Sequence, residues 1–240
     1  MFVRRLRRSV SKAILSAKYP QFTQSLSELG YEVIPSETVG CFIGYEQQHA
    51  DMQCLILNDT AFVLSVCKSL ANALKSAYNA VLCADDISGD YPRNIALNTA
   101  VLGKNLICRI DSLDDKVKAY CKANDFTLIN VKQGYAKCSC AVVSDNAVIT
   151  EDVGIYRTLS KTDIEVLLIG KGSVTLEGAD CGFIGGATGY DKSNNTLYIC
   201  GDICEHPDFE KIKGFCDKHG TSIECLSDSQ LLDIGGILFC

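Results

Sequence analysis

Two cysteines stand two residues apart in Lys137-Cys138-Ser139-Cys140, shortly after Gly134. A thiol in this setting has three readings: a nucleophile, a metal ligand, or a small apolar residue in a cysteine-rich core. A nucleophilic thiol needs help, because at an ordinary pKa of about 8.5 it is mostly protonated at neutral pH. Lys137 is an adjacent cation, and His49 lies two residues before Asp51, with a side chain whose usual pKa suits proton transfer. The bland readings stand beside these. Alternation along a strand puts Cys138 and Cys140 on one face, as in any buried pair, and His49 fits a hydrogen-bonded polar residue at a strand start.

A second grouping, Cys200, Cys204, His206, Cys216 and His219, approaches zinc-ligand spacing, but the intervals are irregular. We therefore expect no metal and no cofactor. The glycine-rich Leu176–Gly189 stretch lacks the lysine-serine ending of a phosphate loop.

Whatever these residues do, 240 residues at 47% hydrophobic must position them, which is enough for one large domain or two small ones. The net charge of −6 is uneven: Arg4, Arg5, Arg7, Arg8, Lys12 and Lys18 crowd the first 20 residues, leaving the remainder strongly acidic. That balance argues against a nucleic-acid partner. No apolar run reaches the roughly 18 to 20 residues that cross a bilayer, so no membrane partner is expected either. The basic start lacks the apolar segment of a secretory signal. Most of the 14 cysteines sit inside apolar runs such as "MQCLIL" and "TLYICGD". Reduced thiols in a core suit a reducing compartment, and the expected location is cytoplasmic.

One pattern recurs along the chain: an apolar strand, a polar turn, a second strand, a helical stretch and a third strand. It runs through residues 49–84, 95–130, 138–170 and 182–226, with turns at "NDT", "GKN", "SDN" and "DKSNN". A fifth unit starts at residues 231–240 and is completed by 1–35, with "MFVRR" as its second strand, helical material from Ser9 to Gly30 interrupted at Pro20, and "YEVIPS" as its third strand. Helices are also expected over 113–123 and 207–219. The fold class is therefore α/β: a single domain of five ββαβ units, a propeller whose ring closes by pairing of the N- and C-terminal segments.

Five such units resemble the pentein fold of the guanidino-group-modifying enzymes, which include arginine and agmatine deiminases, dimethylarginine hydrolases and amidinotransferases, together with a non-catalytic ribosome-binding relative. "HAD" at His49–Asp51 resembles the family's H-x-D motif, implying an acid/base role for His49 and guanidinium binding by Asp51. "GYAKCS" at Gly134–Ser139 resembles the segment around the nucleophilic cysteine, with Lys137 where arginine is common. "LLDIGG" at Leu231–Gly236 is similar to the E-G-G-D segment, implying that Asp233 is a second carboxylate. The family places its chemistry where the first strand of each unit begins, which adds Asn98 as a substrate contact. The chain order of histidine, cysteine and carboxylate differs from the deiminases, as though the ring were entered at another unit. "GGILFC" makes Cys240 a second candidate thiol, behind Cys138.

The resemblance thus implies a hydrolase or transferase that modifies a guanidine or amidine through a covalent cysteine. Catalysis would fall to Cys138 and His49, and substrate binding to Asp51, Asp233 and Asn98. The alternative is a non-catalytic pentein-like module that binds a small molecule or a protein.

Overall fold

The computed structural model describes residues 11–85 and 87–240. Its first elements are β1 (Lys12–Leu15), α1 (Pro20–Glu28) and β2 (Glu32–Pro35). Then come the one-turn α2 (Ala50–Gln53), β3 (Cys54–Leu57), β4 (Thr60–Leu64), α3 (Lys68–Leu74) and β5 (Asn79–Cys83). The next unit holds β6 (Ala100–Leu102), β7 (Asn105–Cys108), α4 (Asp115–Ala123) and β8 (Thr127–Asn130). It is followed by β9 (Cys140–Ser144), β10 (Ala147–Thr150), α5 (Val153–Leu159) and β11 (Glu165–Leu168). The chain finishes with β12 (Thr188–Asp191), β13 (Thr196–Ile199), α6 (Phe209–Lys218), β14 (Ser222–Cys225) and β15 (Leu238–Phe239).

These strands form five three-stranded sheets of mixed α/β units. In each, a middle strand pairs antiparallel with the first strand and parallel with the third, as Phe62 does with Leu55 and with Val81. The antiparallel pair needs only a hairpin, whereas the parallel return needs a crossover, supplied each time by a helix. Tight turns mark the hairpins: Asn58, Gly103 and Asn195 adopt φ of 53°, 56° and 53°, the left-handed region that asparagine and glycine tolerate best.

Every crossover helix packs by the same device. Each buries a pair of apolar residues four apart, with Ala71 a third in α3: Phe22 and Leu26, Leu70 and Leu74, Val117 and Cys121, Ile155 and Leu159, Ile212 and Cys216. Spacing of four brings both side chains onto one face, and each burial contributes about 1.5–3 kcal/mol for a leucine-sized group. Cys121 and Cys216 fill the slot that leucine fills elsewhere, so these thiols are core residues. All 14 cysteines are free.

The expected chain course needs three corrections. "MFVRR" lies outside the described residues; the middle strand of the shared sheet is β1, Lys12–Leu15, inside the stretch read as helical. Its parallel pairing with β2, Lys12 opposite Glu32, and antiparallel pairing with β15, Ala13 opposite Phe239, override the helix propensity of Lys-Ala-Ile-Leu. Pro20 starts α1 instead of interrupting a helix, since its missing N–H and fixed φ suit the first turn. The final helix begins at Phe209 and not at Pro207; His206 Nδ1 accepts from the Asp208 amide at 3.0 Å, closing a turn before it. No helix among the described residues is long and apolar enough to cross a membrane.

Candidate active site

The first strand of each sheet is preceded by a tight turn: residues 50–53, 95–98, 136–139, 184–187 and 234–236. Cys138 lies in such a turn and Cys140 opens β9, so the two do not share a strand face. A turn closed by the Ser139 amide on the Tyr135 carbonyl, at 2.9 Å, carries Cys138 off the strand line. Cys140 is fully buried among Ala100, Leu102 and Val148, and burial pushes its thiol up to about 12. Cys240 follows β15, at the other end of the first strands from His49, with its backbone bonded to Lys12. It has no place in the site.

Hydrogen bonds pass from turn to turn through all five. The Asp51 amide donates to the Gly235 carbonyl at 3.0 Å, Gly236 to the Gly186 carbonyl at 2.7 Å, and Gly186 to the Cys138 carbonyl at 2.9 Å. Asn98 completes the circuit: its Oδ1 accepts from the Lys137 amide at 2.8 Å and its Nδ2 donates to the Asp51 carbonyl at 3.3 Å. Nδ2 also lies 3.2 Å from Cys138 Sγ. Both ends of the Asn98 amide are thereby committed to joining two turns and to the thiol.

Within this circuit His49, Asp51 and Cys138 meet, each offering a ligand atom within 4.8 Å of the others. Cys138 Sγ donates to Asp51 Oδ2 at 3.0 Å, while Asp51 Oδ1, equally buried, has no hydrogen-bond partner among the described residues. Burial first, then the Asp233 charge, raises the Asp51 carboxyl to about 6, against the opposing charges of Lys137 and His49. Burial and the carboxylates of Asp51 and Asp233 push the Cys138 thiol well above its ordinary range. The resting group is therefore a thiol. A cation arriving on Asp51 would reverse the electrostatic part of that effect.

These three side chains also form the one group among the described residues whose histidine, cysteine and carboxylate atoms could share a metal ion. The Cys200–His219 stretch does not converge. Cys204 is exposed, Cys216 is in the core of α6, and His219 packs edge-on against Phe215.

Asp233 stands beside the triad with both oxygens occupied: Oδ2 accepts from Phe183 N at 3.0 Å and Oδ1 from Gly235 N at 2.9 Å. It braces two turns. Asp233→Asn would turn an NH2 group toward one of these amides, with an expected loss of about 1–3 kcal/mol in urea denaturation at pH 7. An unchanged midpoint would show that the brace carries no load.

Sequence reading missed Glu151. Its Oε2 accepts from Ile184 N at 2.9 Å, next to the Phe183 amide held by Asp233, and its Oε1 is buried with no partner among the described residues. Burial raises its carboxyl. The only signal was its place in "ITED", directly after β10. Lys137, buried on the inner side, donates to the Gly185 carbonyl at 2.8 Å and is the nearby cation. His49 borders a cavity of about 160 Å³, with Lys18, Tyr19, Tyr45 and Gln48 around it. Lys18 pairs there with Glu177 at 2.9 Å.

The fold, five sheets each made of an antiparallel pair and a parallel return, is shared with solved enzymes that act on guanidino compounds. The structure resembles an inosamine-phosphate amidinotransferase of Streptomyces griseus (10% identity, TM-score 0.54, covering 95% of this chain and 91% of that one). It also resembles the agmatine deiminase of C. jejuni (12%, 0.51, 91% and 88%) and the dimethylarginine dimethylaminohydrolase of Pseudomonas aeruginosa in complex with citrulline (8%, 0.51, 92% and 93%). No curated protein sequence matches. The chain belongs to DUF6873, a family of unknown function whose model matches residues 14–238.

Proposed function

We propose that the protein modifies a guanidine or amidine, as a hydrolase or transferase working through a covalent bond to Cys138. The observation that carries this reading is the orphaned Asp51 Oδ1, a buried carboxylate oxygen beside a thiol and a histidine. A planar cation with N–H donors satisfies that oxygen, stabilises the ionised carboxylate and favours the thiolate in one step. His49 takes the Cys138 proton as Sγ bonds to the amidine carbon, and the C–N bond breaks as His49 passes that proton to the departing amine. Water, or an acceptor amine in a transferase, cleaves the C–S bond and restores the thiol. Asp233 is a second carboxylate near the cation, and Asn98 orients Cys138. In this reading the five sheets are the blades of one propeller formed by the whole chain, with residues 231–240 completing the first blade.

The test is peptide mapping after brief treatment with 2-chloroacetamidine, beside an equal dose of iodoacetamide. The amidine is expected to label Cys138 at least about tenfold faster than any other thiol, with a rate that rises with pH. His49→Ala is expected to slow turnover of a guanidine substrate by about 10²-fold or more. A second reading, a non-catalytic binding module, is favoured by the closure of the site: Cys138 is 2% exposed. Labelling no faster than at the other thirteen cysteines would support that reading and end the first.

A further inference from the structure

Of the four groups at the centre of the site, His49 alone fronts the cavity of about 160 Å³ beside it: Asp51, Cys138 and Asp233 are each at most 2% exposed and line none of it. The side chains around this cavity carry polar groups. Hydroxyls come from Ser16, Tyr19 and Tyr45, amides from Gln47 and Gln48, and the one permanent charge is the Lys18 ammonium. No acid lines it. A substituent seated here therefore meets a cation and hydrogen-bonding groups, with nothing to hold a positive charge.

The rim already holds a carboxylate. Glu177 Oε2 lies 2.9 Å from Lys18 Nζ, and Lys18, helped by the Tyr19 hydroxyl, keeps the Glu177 carboxyl below its ordinary range. This carboxylate stands on a short excursion of the chain, closed at its neck by the Gly182 amide on the Val174 carbonyl at 2.9 Å, with Gly178 beside it at a φ of +90°. Both partners face solvent, with 44% of the Lys18 side chain and 68% of that of Glu177 exposed. An ion pair this wet is held weakly, so a carboxylate brought by a ligand exchanges with Glu177 at little cost.

In the reaction proposed above, His49 passes a proton to the departing amine, so that amine and whatever it carries lie on the His49 side, in this cavity. We propose, on that assignment of His49, that the substrate is a guanidine whose departing amine carries a short carboxylic acid, held by Lys18 and Tyr19 in place of Glu177. Lys18 is then the residue that determines specificity. The cavity equals about five waters at about 30 Å³ each, which suits an acid of two or three carbons. An additional ammonium on the same substituent finds no acid in the lining to pair with. Cys138 Sγ bonds to the central carbon, the bond from that carbon to the acid-bearing nitrogen breaks, and the amino acid leaves with the proton that His49 took from Cys138. Where water completes the cycle, one guanidino acid and one water become one amino acid and one urea.

Ligand-observed NMR on the full chain tests this with three guanidines of similar size: guanidinoacetate, N-propylguanidine and 2-guanidinoethylamine. The acid is expected to bind at least about tenfold more tightly than the propyl compound, and the ammonium compound most weakly. Lys18→Met keeps the stem and removes the charge, and is expected to bring guanidinoacetate to within about twofold of N-propylguanidine, whereas Lys18→Arg keeps the preference. Glu177→Gln removes the competing carboxylate and is expected to tighten guanidinoacetate about threefold while leaving N-propylguanidine unchanged. Circular dichroism identifies any variant that fails to fold, in which case the substitution at the other position decides. Equal binding of the three guanidines to the wild type, or a preference for the acid that persists in Lys18→Met, overturns the proposal and leaves a guanidine site at Cys138 standing. Binding of none of them instead removes the guanidine reading itself, and the assignment of Lys18 with it.

Discussion

Replacing Asp51 by asparagine is expected to make the protein more stable at pH 8, by up to about 3 kcal/mol, while ending amidine-selective labelling of Cys138. The folded carboxyl titrates at about 6, and its ordinary value is 3.8. Between those values the folded chain binds more protons than the unfolded one. The Asp51 contribution to stability therefore falls as pH rises through this window and stays low above it. Asparagine removes the penalty of the buried charge, so its benefit is largest above pH 6 and shrinks to under about 1 kcal/mol near pH 4. Urea denaturation of both proteins at pH 4 and pH 8 measures it. A variant less stable than wild type at pH 8 would mean that the ionised carboxylate is well solvated or paired, and the argument for a waiting cation site would go with it.

The second large effect is expected at Gly235. Its φ is +79°, and an added Cβ would lie 2.3 Å from the Cα of His49. Gly235→Ala combines a left-handed backbone with a collision against main chain that cannot swing aside. The expected cost is at least about 3 kcal/mol, with loss of the folded state in a marginal background. Gly214→Ala in α6 is the control. That position has open space around it, and alanine in a helix interior should gain about 0.5–1 kcal/mol over glycine. If both variants unfold at the same urea concentration as wild type, the turn at 234–236 is not held as described. Gly186 has a comparable constraint, with its Cβ position 2.0 Å from Asp233 Oδ1.

Much of the strand and helix order was readable because the hairpins announce themselves. "NDT", "GKN" and "DKSNN" place Asn58, Gly103 and Asn195 where a left-handed residue is needed, and the four-residue apolar spacing marks each crossover helix. Lys12–Leu15 was unreadable because its residues suit a helix, and only partners at Glu32–Pro35 and Leu238–Phe239, distant in the chain, make it a strand. His49, Asp51 and Cys138 were found through residue type and a family likeness. That Cys138 sits in a turn and Cys140 in a strand was not, since a turn of four residues is too short to show a period. Glu151 escaped for a different reason: its importance comes from an amide at Ile184 and an empty oxygen, neither of which leaves a mark in local sequence.

The circuit of hydrogen bonds through the five turns has a consequence for biosynthesis. Its last members, Gly235 and Gly236, emerge from the ribosome after every other part, and the neighbouring β15 is what pairs with β1. Until then Asp51 and Gly186 each lack a link, and the nascent chain carries cysteines but no assembled site. Pulse proteolysis of ribosome-stalled chains should therefore find the α3, α4 and α5 regions protected first, with protection around His49 and Cys138 appearing only once β15 has cleared the exit tunnel. Protection of His49 in chains stalled before Leu231 would show that the circuit is dispensable. If protection waits for β15, quality control meets chains released early as open sheets in which His49, Asp51 and Cys138 are not yet held together.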